Sequence, residues 1–347
     1  MFKALSTTSL ILIMAGCAST SDAPAGKFDL TQWKITVPLD QDNNGKADDI
    51  DTKALQNYRH SDFFYVDKNG GLVFTSPNKA VTTQTSSNTR SELRQMIRGL
   101  DTSIGTKSYG NNFAIAAHPD ANYFSQIGGK LEATLKVNHV AKNAKYPKKP
   151  AYSVVVGQIH AGKDKALISE GNNFGYGNEP IKIYYKKWPE HNTGSVFWTY
   201  ERNLAKDDPN RTDIAYPVWG NTWENPEDPK SAGIALGEEF SYTINVHNNI
   251  MHLTFTQANK AQVNYKIDLS NNIDAYGNID EKDNIAGYAG DWHYFKAGAY
   301  NQCSTKNASG MWYAACAGTG DWATDKANGD YVSVTFSALT LSQANKP

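Results

Sequence analysis

Residues 240–255 read Phe240-Ser241-Tyr242-Thr243-Ile244-Asn245-Val246-His247-Asn248-Asn249-Ile250-Met251-His252-Leu253-Thr254-Phe255, and this stretch decides the fold class. Phe240, Tyr242, Ile244 and Val246 recur at every second position, as do Met251, Leu253 and Phe255 after the Asn248-Asn249 pair. A period of two places all of these apolar side chains on one face of an extended chain. Asparagine tolerates the positive φ that a tight hairpin turn requires. The stretch therefore predicts strand, turn, strand, and Val263, Tyr265 and Ile267 carry the pattern into a third strand.

The same period dominates outward from there. Near the C-terminus Val332, Val334, Phe336 and Ala338 alternate with Tyr331, Ser333, Thr335 and Ser337. No long amphipathic helix, internal repeat or second domain is evident, so the 347 residues predict one large all-β sandwich. Two stretches rich in Asn, Asp, Pro and Gly break the alternation, 101–128 and 203–235, the second holding Trp219 and Trp223. Long loops in a compact β domain tend to be functional or mobile, and both are expected to be cleft walls or lids. The formal net charge of -1 excludes a globally basic nucleic-acid binder. A polyanionic ligand would instead need a positive surface confined to that cleft.

The N-terminus reads as an export signal. Lys3 supplies a positive start, and Ala4 to Met14 form an apolar run too short to cross a bilayer. Met14-Ala15-Gly16-Cys17 resembles the lipobox of bacterial lipoproteins, which predicts residues 1–16 as a signal peptide and Cys17 as the lipidated residue. The alternative is an ordinary secretory signal with an incidental cysteine. Residues 17–26 are a short polar tether, and the folded domain covers 27–347. The expected location is outside the cytoplasm, anchored to the outer membrane by lipid, or otherwise periplasmic or secreted. The other two cysteines, Cys303 and Cys316, are expected to pair as a disulfide in such an oxidising compartment.

Three segments place polar residues on one strand face and apolar or small ones on the other. In Arg90-Ser91-Glu92-Leu93-Arg94 the three charged side chains project together. Gly157-Gln158-Ile159-His160 ends the apolar run Val154, Val155 and Val156 by pointing Gln158 and His160 the same way. In Tyr294-Phe295-Lys296-Ala297-Gly298-Ala299-Tyr300-Asn301-Gln302 the shared polar face carries Tyr294, Lys296, Gly298, Tyr300 and Gln302. Glycine inside that face predicts a close approach to the backbone. Lys182, Tyr184 and Lys186 alternate with Ile181, Ile183 and Tyr185, and extend a basic groove floor or else form a solvated face.

The three blocks, in this order, resemble the signature motifs of polysaccharide lyase family 7, the alginate lyases. Trp33-Lys34-Ile35-Thr36-Val37-Pro38 resembles that family's opening strand, so the likeness spans roughly residues 28 to 340. It implies a β-jelly roll of two curved antiparallel sheets with a concave substrate cleft. It also implies cleavage of 1,4-linked guluronate or mannuronate by β-elimination, with Arg90, Gln158, His160 and Tyr300 at the catalytic positions. Ile159 looks like the family variant associated with accepting guluronate.

The chemistry fits those residue types. A C5 proton beside a carboxylate is barely acidic until that carboxylate is neutralised, which suits fixed donors such as Arg90, Gln158 and Arg94. His160 can take the proton, and Tyr300 can protonate the leaving oxygen. Substrate contacts are expected from Glu92, Arg94, Lys182, Tyr294, Lys296 and Gln302, with Glu92 orienting the arginines beside it. No cofactor is expected for catalysis. Asp40, Asp42, Asn44, Gly45, Asp48 and Asp51 match the spacing of an EF-hand calcium loop except for Asp at the twelfth position, so a structural calcium is a candidate there. An acidic, glycine-containing turn is the alternative. The expected partner is alginate, with membrane contact only through the lipid. Two rival functions are a glycoside hydrolase, which would need paired carboxylates in the cleft, and a non-catalytic carbohydrate-binding protein on the same sandwich.

Overall fold

The computed structural model describes residues 22–144, 150–170, 175–306 and 314–347. Cys17, with its expected lipid, and the signal segment lie outside them. The predicted hairpin is present as Glu239–His247 and Ile250–Gln257, with Asn248 at φ 56° in the turn. Two antiparallel sheets stack face to face. The back sheet runs Lys260–Asp268, Ile250–Gln257, Glu239–His247, Gly129–His139, Tyr331–Ser342, Leu72–Pro77 and Phe64–Val66. The cleft sheet runs Asp213–Trp219, Ser195–Glu201, Ile181–Lys186, Ser153–Lys163, Asp291–Ser304, Asn88–Gln95, Trp33–Val37 and Asp48–Ile50. This is the expected jelly-roll sandwich. The longest helix among the described residues is Trp322–Asn328, and none is long and apolar enough to cross a membrane.

The core lies between the sheets. Ile35, Leu93, Val156, Ile159, Phe295 and Ala297 turn inward from the cleft sheet and meet Leu135, Tyr242, Ile244, Val334 and Phe336 of the back sheet. Burying one large apolar side chain of this kind contributes roughly 1.5–3 kcal/mol. Their neighbours in sequence must then face the concave side, so the core fixes the orientation of every cleft residue. Gly157 shows how tightly the layers meet. A Cβ there would lie 2.4 Å from the Tyr242 hydroxyl, which donates a 3.1 Å hydrogen bond to the Val156 carbonyl.

Cys303 and Cys316 are joined in a disulfide, with Cα atoms 5.3 Å apart. The bridge closes a short loop onto the end of the Asp291–Ser304 strand. Replacing both cysteines by serine is expected to lower stability by about 3 kcal/mol, the loop-closure value for a ring of this size. Urea unfolding under oxidising conditions reads this directly, and an unchanged midpoint would refute a stabilising role.

Candidate active site

Cross-strand pairing brings the three polar faces together. Lys34 pairs with Arg94, Arg94 with Lys296, Lys296 with Gln158, and Gln158 with Lys182, forming one row across five strands. Two residues to one side of this row Tyr294 lies opposite His160, and four residues to the other side Tyr300 lies opposite Arg90. These side chains line a groove of about 1470 Å³ that crosses the strands of the concave sheet.

Glu92 is the hub. It is buried and accepts from Arg90 Nη1 at 3.0 Å, from Gln158 Nε2 and from Lys296 Nζ. Burial pushes its carboxyl up, but Lys296 and Arg90 outweigh burial and hold it below the ordinary range, so it stays ionised. Burial and the Arg90 cation pull the Lys296 ammonium down to about 8, against the opposing pull of Glu92. The Arg90 guanidinium lies 4.0 Å over the Tyr300 ring, which fixes both side chains at the groove floor. Glu92 thus holds Arg90 and Lys296 from beneath, whereas Arg94, the second arginine it was expected to orient, bonds elsewhere.

His160 stands beside this hub, its ring stacked on Tyr294 at 5.4 Å. Nδ1 lies 2.6 Å from the Ala161 carbonyl and Nε2 lies 3.2 Å from Glu179 Oε1. Burial is the largest influence on the imidazole and lowers its proton affinity, while Glu179 raises it.

Several expectations change on contact with the fold. Arg94 lines the groove, but its donors are taken by the Gln95 carbonyl at 2.6 Å, the Thr106 carbonyl at 3.0 Å and Asn112 Oδ1 at 2.6 Å. It anchors the 101–128 loop, whose Thr106 and Lys107 form one groove wall, as expected of that loop. Lys182 reaches the groove but is held by Glu179, Glu201 and Asp213 at 3.6, 3.6 and 3.2 Å, so it is a paired cation, not a bare basic floor. Gln302 is buried and does not line the groove, because the pairing slips between Tyr300 and Ser304 and ends the alternation there. Gly298 does serve a close approach, but the neighbour is the Asn88–Gln95 strand. At φ 145°, a Cβ would sit 2.5 Å from the Ser91 carbonyl oxygen.

The 203–235 stretch, expected to be irregular, holds the edge strand Asp213–Trp219 at its centre, and the segment after it closes the far side. Trp223 packs edge-on against Tyr184 and Phe197 at 4.9 and 5.2 Å, covering that part of the concave face. The acidic loop at the groove's edge is only partly gathered. Carboxylate oxygens of Asp40, Asp42 and Asp48 lie within 4.8 Å of one another, and Asn44 donates to Asp42 at 2.7 Å. Asp51 departs from the calcium-loop pattern, since it caps the Thr52–Leu55 helix by accepting from the Ala54 amide at 2.9 Å.

Sequence reasoning missed the acids. Glu179, Glu201 and Asp213 all line the groove, and none of them was among the expected site residues. Burial and the charge of Glu179 push Glu201 well above the carboxylate range, whereas Lys182 and His160 hold Glu179 well below it against the pull of burial. Arg211 contacts Glu201 at 2.7 Å. Each acid is therefore matched to a cation rather than set across an open bond from a second acid. The one available signal was Phe197, Thr199 and Glu201 sharing the concave face of their strand.

Residues 28–343 match the alginate lyase family. An alginate lyase from Klebsiella pneumoniae is 37% identical over 307 residues, covering 86% of this chain and 90% of that protein. The crystal structure of the alginate lyase from Klebsiella pneumoniae superposes with a TM-score of 0.72 at 33% identity, covering 94% of this chain and all of that one. The exolytic PL7 alginate lyase AlyA5 from Zobellia galactanivorans gives 0.74 at 35% identity, covering 93% and 99%. With a two-sheet fold, a cation-lined groove and agreement along nearly the whole folded region, the chain belongs to the alginate lyase family.

Proposed function

We propose that this lyase cleaves alginate with Arg90, Gln158 and Lys296 receiving the uronate carboxylate, His160 acting as base and Tyr300 as acid. The observation that carries this reading is the convergence of Arg90, Gln158 and Lys296 on buried Glu92, with His160 and Tyr300 in the same groove. Guanidinium, amide and ammonium donors neutralise the carboxylate and the enolate-like charge that grows on it as C5 loses its proton. The lone pair left at C5 forms the C4–C5 double bond, the C4–O4 bond breaks, and the departing oxygen takes a proton from Tyr300. These donors do the neutralising, so the scheme calls for no metal ion.

In guluronate the C5 proton and O4 lie on opposite faces, which divides the work between His160 and Tyr300. In mannuronate they lie on one face, and Tyr300 alone can serve both. His160→Ala is therefore expected to slow cleavage of polyguluronate about a hundredfold more than cleavage of polymannuronate. The ultraviolet absorbance of the new double bond follows both reactions, and equal losses would refute the division. The wider proposal places the enzyme outside the cytoplasm, tethered through lipid on Cys17. The apolar segment ending in Met14-Ala15-Gly16-Cys17 supports it, and a disulfide suits such a compartment.

A further inference from the structure

His160 sits between two acceptors. With Nδ1 2.6 Å from the Ala161 carbonyl, the proton of a neutral ring belongs on Nδ1, leaving the Nε2 lone pair as the only basic site. Yet Nε2 faces the Glu179 carboxylate at 3.2 Å, a contact that becomes attractive only once Nε2 also carries a proton. Glu179 is itself fixed. Its amide donates to Glu201 Oε2 at 3.3 Å, its carbonyl accepts from the Glu201 amide at 3.2 Å, and its second oxygen lies 3.6 Å from Lys182 Nζ. Lys182 and His160 hold Glu179 well below the carboxylate range against burial, whereas burial and the charge of Glu179 push Glu201 well above it.

We propose that Glu179 is a positioning residue for His160, its charge 3.2 Å from Nε2 and outside hydrogen-bonding geometry stabilising the imidazolium formed when the ring takes the C5 proton. This rests on the reading of His160 as base. In that step the C5–H bond breaks, an Nε2–H bond forms, the electron pair becomes the C4–C5 double bond, and O4 leaves with the Tyr300 proton. Among the described residues every charged or titratable neighbour except Glu179 is cationic or ordinarily neutral: Lys296 bears on the ring from the adjoining strand and Arg90 from the next one, Tyr294 stacks on it, and His293 lies behind the sheet. Lys182, Arg211, Glu201 and Asp213 act on it through Glu179 and its surroundings. Among the described residues Glu179 is thus the one anion touching a base that burial and two cations otherwise weaken.

The test is Glu179→Gln in the full chain, read first by NMR titration of the His160 ring, whose signal is assigned by its loss in His160→Ala. Removing a contacting negative charge is expected to lower the midpoint by about one pH unit. The acid limb of kcat/KM on polyguluronate should move down by the same amount, with kcat reduced and KM little changed. An unmoved midpoint overturns the proposal, as does an equal loss on both polymers with the limb unmoved. If Glu179→Gln misfolds, Glu179→Asp keeps the charge at greater distance, and its midpoint should fall between those expected for the native and amide forms; a native midpoint there overturns the proposal. Should His160→Ala retain full activity on polyguluronate, the base assignment fails instead, while the NMR midpoint still reports whether Glu179 controls the ring.

Discussion

Tyr300→Phe keeps the fold and the binding of oligosaccharide but lowers turnover by about three orders of magnitude, the scale expected for loss of a positioned acid. Phenylalanine preserves the ring that lies beneath the Arg90 guanidinium and packs beside Val155, Tyr184, Phe197 and Trp223. Only the hydroxyl is removed, so the carboxylate-binding side of the groove remains intact. The loss should appear in kcat on both polymers, with oligosaccharide affinity by calorimetry unchanged. Activity near that of the native enzyme would take Tyr300 out of the mechanism. A collapse in affinity would instead make it a binding residue.

Glu92→Ala is expected to cost about 3–5 kcal/mol of stability and to remove activity. It strands the Arg90 and Lys296 cations in a buried site with no counter-charge. The Glu92 carboxyl is held below its ordinary range, so its contribution is complete above the unfolded-state value, near 4.5, and is lost as pH falls through the lowered folded one. The difference in unfolding free energy between native and variant should therefore be full at pH 7 and shrink in strong acid. A gap independent of pH would mean that the variant suffers from a cavity rather than from unpaired charge.

Alternation made much of this molecule legible. Residues whose inward neighbours are core hydrophobes could be assigned to the concave face without a structure: Leu93 and Phe295 settle the direction of Arg94, Tyr294 and Lys296. The reading failed where the period fails. Gln302 follows a slip in pairing that no residue of the motif announces. Asp51 satisfied a spacing pattern but lies one residue before a helical turn, where its oxygen serves better as a cap. Glu179 and Asp213 stand at the margins of strands, and their convergence with Glu201 on Lys182 is a long-range fact of sheet order. That is why Lys182 read as a bare cation. Family resemblance supplied the chemistry, while periodicity supplied only the faces.

The row from Lys34 to Lys182 has one more consequence. Neighbouring strands lie about 4.8 Å apart, close to the span of a single pyranose, and the groove runs across them. A uronate chain laid in that direction would pass one side chain of the row at nearly every sugar, with Lys296 and Gln158 at the centre and Lys34, Arg94 and Lys182 held by protein acceptors on either side. Running along a strand, it would find one only every second residue, or about 6.8 Å. Backbone hydrogen bonding thereby sets the spacing of this row, a distance that no side-chain substitution can alter.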